Sequence, residues 1–354
     1  MRILDRYIGR TVIAGMLLAL FILLAVDVFF SFANEIQDLG KGRYTLGEVF
    51  TFVGLTIPRR VYEMFPMAAL IGSLLSLGTL ASSSELVAIR AAGVSVTRIS
   101  LSVLKAGGIL LVIAAAIGEW VAPWTEQIAQ QRRATTQSEA ITFRSDHGLW
   151  ARDGNRFINI KWILPDGHLS GIEIYEFSED GSLKSSISAK TAEHVESGWR
   201  LHGARQGTLK DNVLTLNKAK RLDIPTLLSP KLLNVVTLAP EDLSARDLHQ
   251  YANYMRDNGL DASRYDLAFW QRVFSPISGL VMLFLSIPFV FGPLRSAGTG
   301  QRLLWGVMTG VAFYLVNQTM THAGQVYGLP APLSALLPAL LFFAGGLWVM
   351  RQVR

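Results

Sequence analysis

Arg59-Arg60 is the pair in this chain best suited to chemistry: two adjacent guanidiniums after Pro58 and ahead of Glu63 and Pro66, inside an apolar run. A guanidinium is a planar fork that binds carboxylate or phosphate bidentately. Lys41 and Arg43 lie a short way upstream. Two readings are open for these four cations. Either they pair with Glu35, Asp38, Glu48 and Glu63, or they face a cavity that holds an anionic ligand. Other candidates are sparse. Asp27 and Glu119 interrupt apolar runs near their outer ends, where solvation at the interface is the plainer reading. The six histidines, His147, His168, His194, His202, His249 and His322, form no H-x-H or H-x-x-x-H pair, so no metal site is expected. Gly40-Lys41 lacks the upstream glycine of a phosphate loop, and Gly93-Val94-Ser95-Val96-Thr97 misses the nucleophile-elbow pattern at its last position. No catalytic residue is assigned, and with no cysteine there is neither disulfide nor thiol chemistry.

The elements that must carry these residues are apolar helices. Half of the 354 residues are hydrophobic and only 17% are charged, a balance suited to a chain partly dissolved in lipid. A bilayer core roughly 30 Å thick takes about 20 apolar residues of helix. The runs at 11–33, 51–81, 101–122, 273–292, 303–320 and 333–350 predict six membrane helices, three before and three after a polar segment. The first run is too long for a cleaved signal peptide. The stretch 124–265 carries as many acidic as basic residues, so the net charge of +6 belongs to the membrane part. Arg2, Arg6 and Arg10 precede the first helix, and Arg90, Arg98 and Lys105 lie between the second and third. Arg295 and Arg302 lie between the fourth and fifth, and Arg351 and Arg354 follow the sixth. By the positive-inside rule these mark the cytoplasmic side, with both termini inside and the polar segment outside. Nucleic acid is not the partner such charge implies.

Within the polar segment Phe157, Ile158 and Ile160, then Ile172, Ile174, Tyr175 and Phe177, alternate with polar neighbours, Glu173 and Glu176 pointing outward. Pro165-Asp166-Gly167 and Glu179-Asp180-Gly181 are turn signals. Short strands at this spacing predict an antiparallel sandwich or jelly roll, flanked by a helix from about Trp124 and another after Pro240-Glu241-Asp242. The expected domains are therefore 1–123, 124–262 and 263–354.

Between the second and third helices, Ser82-Ser83-Ser84-Glu85 matches a capping box with Ser82 as cap, and Gly93 suits the helix stop. The helix between them presents Leu86, Val87 and Ile89. A polar turnaround would need no such element. It lies in the lipid interface, packs under its own bundle, or docks in a groove on a cytoplasmic protein through Glu85.

Leu4-Asp5-Arg6-Tyr7-Ile8-Gly9, Phe65-Pro66-Met67-Ala68-Ala69-Leu70, Ser84-Glu85-Leu86-Val87, Gly118-Glu119-Trp120-Val121-Ala122-Pro123, Gly148-Leu149-Trp150-Ala151 and Phe291-Gly292-Pro293-Leu294-Arg295-Ser296 strongly resemble the LptF/LptG permease family, in order along the chain. The resemblance implies an α-helical membrane protein of the bacterial inner membrane, with six transmembrane helices (3+3) and an inserted periplasmic antiparallel β jelly-roll domain. It implies a heterodimer of an LptF-like with an LptG-like permease, two copies of the cytoplasmic ATPase LptB, and LptC with its membrane helix and jelly roll. Lipopolysaccharide would enter between the permeases and leave through the jelly rolls towards LptA. No cofactor is implied for this chain, ATP being bound by the ATPase. The family's coupling helix maps onto 83–92, with Ser84, Glu85, Leu86, Ile89 and Arg90 meeting the ATPase. Arg59 and Arg133 match basic positions that meet the lipid phosphates. Lys41 and Arg43 stand in for lysines that relatives carry where this chain has Ser31, Gln37 and Asp38. Phe313, Leu315, Val316 and Met320 would line a lateral gate. Two other function classes stand beside this one: a lipid-modifying membrane enzyme using Glu63, Glu119 or Asp27 as acid or base, and a scaffold that docks periplasmic partners.

Overall fold

The computed structural model describes residues 3–137, 143–153, 155–163, 168–178, 181–195, 198–210, 213–224, 239–292 and 297–352. The expected turn at Pro165-Asp166-Gly167, the cations Arg2, Arg295 and Arg354, and the stretch 293–296 lie outside the described residues.

Helix α1 (Ile3–Glu35) and α2 (Leu46–Ser82) form the first antiparallel pair, joined through a 3₁₀ turn at Ile36–Asp38. A short helix α3 (Glu85–Ala91) follows, then α4 (Val96–Ala116). A π-helical turn at Ile117–Val121 joins α4 directly to α5 (Ala122–Gln137). After the β domain come α6 (Ala245–Asp257), α7 (Ser263–Phe291), α8 (Thr299–Tyr327) and α9 (Ala331–Gln352). Among the described residues five helical stretches are long and apolar enough to cross a membrane: α1, α2, α4 running into α5, α7 and α9. The sixth expected span, α8, has the length at 29 residues but is diluted by Asn317, Gln318, Thr319 and His322. Helix α2 is the hub, packing on α1, α5, α7 and α8. It contains Pro58 and Pro66, each of which removes one intrahelical hydrogen bond. The main core joins Ile8, Val12 and Met16 of α1 to Leu74 and Leu77 of α2, Val103 of α4 and Ile287 of α7.

The inserted domain is one six-stranded antiparallel sheet: β1 (Phe143–Asp153), β2 (Arg156–Ile163), β3 (Leu169–Phe177), β4 (Leu183–Val195), β5 (Gly198–Lys210) and β6 (Val213–Ile224). The described strands pair in chain order, as a meander. The alternation read from the sequence sets the register: Ile158 opposes Ile174 and Ile160 opposes Ile172, and all four are buried. Leu169, Ala192, Trp199 and Leu201 extend that face, and Tyr254 of α6 packs against it. Glu173 points to the other face, where it pairs with Lys161, whereas Glu176, two residues on from Ile174 in unbroken register, lies at the end of the isoleucine face and pairs with Lys184.

The π turn has a local cause. The Ala122 N–H bonds to the Ile117 carbonyl, so the partner of Gly118 in the same register would be residue 123, a proline without an N–H. Arg272 of α7 donates to the Gly118 carbonyl instead. It also bonds Glu119 Oε2 at 3.2 Å, and Glu119 in turn accepts the Ala245 N–H at 3.0 Å. A carboxylate at a helix N-terminus meets the positive end of the dipole. The chain returning from the β domain is thereby fastened to the top of α4.

Candidate functional site

Three clusters hold the residues that the sequence singled out. The first surrounds Arg59 in the N-terminal half of α2. Its Nη1 donates to Asp242 Oδ1 at 2.6 Å, its Nε lies 3.5 Å from Glu126 Oε2, and Glu63 lies 3.8 Å away. Glu126 of α5 is 1% exposed and Asp242 of the 3₁₀ turn Pro240–Asp242 is 8% exposed. Arg59 therefore ties α2 to α5 and to the start of the return segment. Arg60 turns to α1, pairing with Asp27 and donating to Ser31 Oγ at 2.6 Å. Asp27 is thus an ion-pair member rather than a carboxylate merely solvated at the interface.

Arg59 and Arg272 line one side of a cavity of about 410 Å³, with Glu63, Glu241 and Asp242 among its acids. The other walls are Met67, Met282 and Phe313. A polar rim carrying both charges above an apolar wall suits an amphiphile. An incoming phosphate would have to replace a carboxylate that Arg59 already holds. The three carboxylates considered as acid or base, Asp27, Glu63 and Glu119, each face an arginine.

The second cluster lies at the C-terminal end of α1. Arg133 of α5 forms an ion pair with Glu35 at 2.9 Å and donates to Asp38 at 2.7 Å, and its guanidinium stands 5.0 Å from the Phe52 ring centroid. Lys41 donates to the other oxygen of Asp38 at 2.5 Å. Tyr44 donates to Glu35 at 2.8 Å. Arg43 is exposed, its backbone N–H donating to Thr136 O at 2.7 Å. The four expected lipid-contacting cations are therefore split, Arg59 from Lys41, Arg43 and Arg133. Of the expected acid partners, Glu35, Asp38 and Glu63 are used. Among the described residues Glu48 pairs with none of these cations.

The third cluster is α3. The capping box read from the sequence is not formed. Ser82 ends α2 and its hydroxyl donates to Thr79 O. The N-cap position is Ser84, at φ 62° with no side-chain cap, because the chain must turn sharply between two helices. Glu85 reaches away from the helix end: it accepts from Tyr7 Oη of α1 at 2.6 Å and from Ser83 Oγ at 2.9 Å. These two donors, Tyr7 first, hold the Glu85 carboxyl below its ordinary range. The stop is as expected. Gly93 at φ 84° bonds back to Arg90 O and Val94 to Ile89 O, the paired bonds of a Schellman end. Leu86 is buried, Ile89 half-buried, and Val87 and Arg90 exposed. Leu86, Val87, Arg90 and Phe291 border an open groove of about 530 Å³.

The four residues expected at a lateral gate lie along α8. Phe313 packs edge-on to Phe342 at 5.2 Å, Leu315 is exposed, and Val316 and Met320 are half-buried. Sequence reasoning missed Tyr7, Glu126, Asp242 and Arg272, since their partners are distant in the chain. It also read Arg302 as a loop cation, whereas α8 buries it.

The sequence matches a family model described as lipopolysaccharide export system permease LptF/LptG, over residues 6–352. It is 37% identical over 354 residues to the lipopolysaccharide export system permease protein LptG of Haemophilus influenzae, covering 99% of each chain. It is 38% identical over 355 residues to LptG of Escherichia coli K12, covering 99% of this chain and 98% of that one. Similarity to LptF of the same Escherichia coli strain is lower, 21% over 333 residues, covering 91% of this chain and 87% of the relative.

Proposed function

The chain belongs to the LptF/LptG family of lipopolysaccharide export permeases, and from that premise we propose that it is the LptG-type membrane subunit of a lipopolysaccharide exporter. It takes lipopolysaccharide from the outer leaflet of the inner membrane and passes it through its β domain towards a periplasmic bridge. The observation that carries this reading is the full-length likeness to LptG, which far exceeds the likeness to LptF. The partners are an LptF-like permease, an LptB-like ATPase dimer and LptC. The chain itself does no catalysis and needs no cofactor, its work coming from ATP bound by the ATPase. Both termini and α3 face the cytoplasm and the β domain the periplasm, an orientation supported by Arg6, Arg10, Arg90, Arg98 and Lys105 near the α3 end.

The exposed residues of α3 support its role as coupling helix. Val87 and Arg90 stand free, while buried Leu86 and the Schellman end hold the helix in place. Arg59, Arg133 and Lys41 meet the lipid phosphates only after exchanging carboxylate partners, whereas Arg43 offers an exposed cation. Phe313, Leu315, Val316 and Met320 form the gate towards the partner permease.

Co-expression with an LptF-like permease and the ATPase tests the assignment. ATP-dependent release of lipopolysaccharide from vesicles containing the complex is the expected result; release without ATP dependence sinks it. Within that complex Glu85→Gln is expected to weaken ATPase retention about tenfold by removing a charge-assisted contact. Tyr7→Phe leaves the charge and is expected to cost no more than about threefold. Equal losses in the two variants would mean that Glu85 serves Tyr7 rather than the ATPase.

A further inference from the structure

Helix α8 touches the rest of the chain in an unusual way. Its buried residues are Arg302, Gly306, Gly310 and Gly324. Three of the four are glycines, placed where neighbouring side chains come close. A Cβ on Gly306 would sit 3.1 Å from Leu74, one on Gly310 3.1 Å from Met67, and one on Gly324 2.9 Å from Ser334. A glycine seam offers no knobs to lock into the facing helix. Along the rest of α8, Leu304, Trp305, Met308 and Leu315 are exposed. Among the described residues Arg302 is therefore the one fully buried side chain of α8, with Phe313 a half-buried contact against Phe342 further along.

It is seated by design of the sequence on both sides. Arg302 is 2% exposed, and its Nη1 donates to the carbonyl of Gly78 in α2. The space it fills is the one Gly78 leaves empty, since a Cβ there would lie 2.6 Å from Arg302 Cδ and 2.7 Å from Nη1. A guanidinium bond to a carbonyl is charge-assisted and directional, and burial strengthens it. Gly78 stands close to the end of α2 at Ser82, after which Ser83 and Ser84 lead into α3. Phe313 lies eleven residues beyond Arg302 on α8, roughly 16 Å along a helix.

We propose that Arg302 is the positioning residue through which the α2–α3 corner sets the place of α8, and hence of the gate. This deepens the transporter reading and rests on it for the roles of α3 and α8. When the corner moves, the cytoplasmic end of α8 moves with it through the Arg302–Gly78 contact. The glycine seam above lets the remainder of the helix follow along α2.

The test uses the assembled complex in vesicles containing lipopolysaccharide, with Arg302→Lys and Gly78→Ala as separate variants. Lysine keeps the charge and loses the fork; alanine evicts the guanidinium while leaving it present. Both are expected to hydrolyse ATP within about twofold of the parent while releasing about tenfold less lipopolysaccharide per ATP. The chain has no cysteine, so Val112→Cys and Leu315→Cys can be spin-labelled in a cysteine-free complex. The ATP-dependent change in their separation is expected to vanish in both variants. Unchanged release per ATP overturns the proposal. So does a parallel fall of hydrolysis and release, which would mark Arg302 as a stability contact alone. If the parent complex itself shows no ATP-dependent release, the transporter reading fails first and carries the proposal down with it.

Discussion

Arg59→Ala is expected to destabilise the chain before any question of lipid affinity arises. The substitution leaves Glu126, 1% exposed, and Asp242, 8% exposed, facing each other and Glu63 with no cation between them. Removing one partner of a buried ion pair costs about 3–5 kcal/mol, because the remaining charge has lost both water and its counter-ion. Here one cation serves three carboxylates, so the penalty should fall at the upper end. It should also be local: the contact between α2, α5 and the turn Pro240–Asp242 loosens, freeing the return segment from the β domain. Thermal unfolding of the detergent-solubilised chain measures this. Adding Glu126→Gln and Asp242→Asn to Arg59→Ala should restore most of the loss, since neutral amides need no counter-charge. A phosphate-binding Arg59 with no structural duty predicts the reverse. Arg59→Ala would then unfold normally, and only stimulation of ATP hydrolysis by lipopolysaccharide would fall.

The two outcomes separate because the sequence left them open and the structure supplies the partners. Composition located six apolar runs and the β insertion between them, since hydrophobic length and period-two alternation are local properties. Gly93 was legible for the same reason: a helix stop is written in one residue. Ser82-Ser83-Ser84-Glu85 has equally local grammar, yet the box did not form. A hydroxyl and a carboxylate bond to whatever is near in space, and Tyr7 of α1 reached Glu85 first. The partners of Arg59 were hidden likewise. Asp242 is separated from it by the whole β domain, and no periodicity reports such a contact. Charge alone puts Arg302 in a loop, whereas α8 buries it. A signal was present in Gly306-Val307-Met308-Thr309-Gly310, whose glycine spacing marks a helix face meant for close approach and fixes which residues of α8 turn inward.

Gly72→Val should be the most damaging exchange of two uncharged residues in the membrane part. A Cβ at Gly72 would fall on the Met16 Cα, and 2.5 Å from the Gly15 carbonyl oxygen. Both are backbone of α1, which has no rotamer to turn away. The crossing is tight from the other side too, a Cβ on Gly15 lying 2.7 Å from the Gly72 carbonyl oxygen. Overpacking a side-chain contact costs about 1–3 kcal/mol, but here the only relief is for α1 to leave α2. That displacement unseats Met16, Val12 and Ile8 from the main core and draws Asp27 off Arg60. Gly108→Ala in α4 is the matched control, with nothing within 4 Å of the added carbon, and should be neutral or slightly stabilising, as a helical glycine costs about 1 kcal/mol against alanine. The measurement is recovery of the chain bound to an LptF-like permease after detergent extraction, with thermal unfolding of what is recovered. Loss of partner binding at Gly72→Val with full recovery at Gly108→Ala is expected, since α1 carries the exposed Phe21, Phe29 and Phe30 and can present them only while held against α2. Wild-type recovery and unfolding for Gly72→Val would show that α1 finds its place without this crossing, and its position would then have to come from the partner.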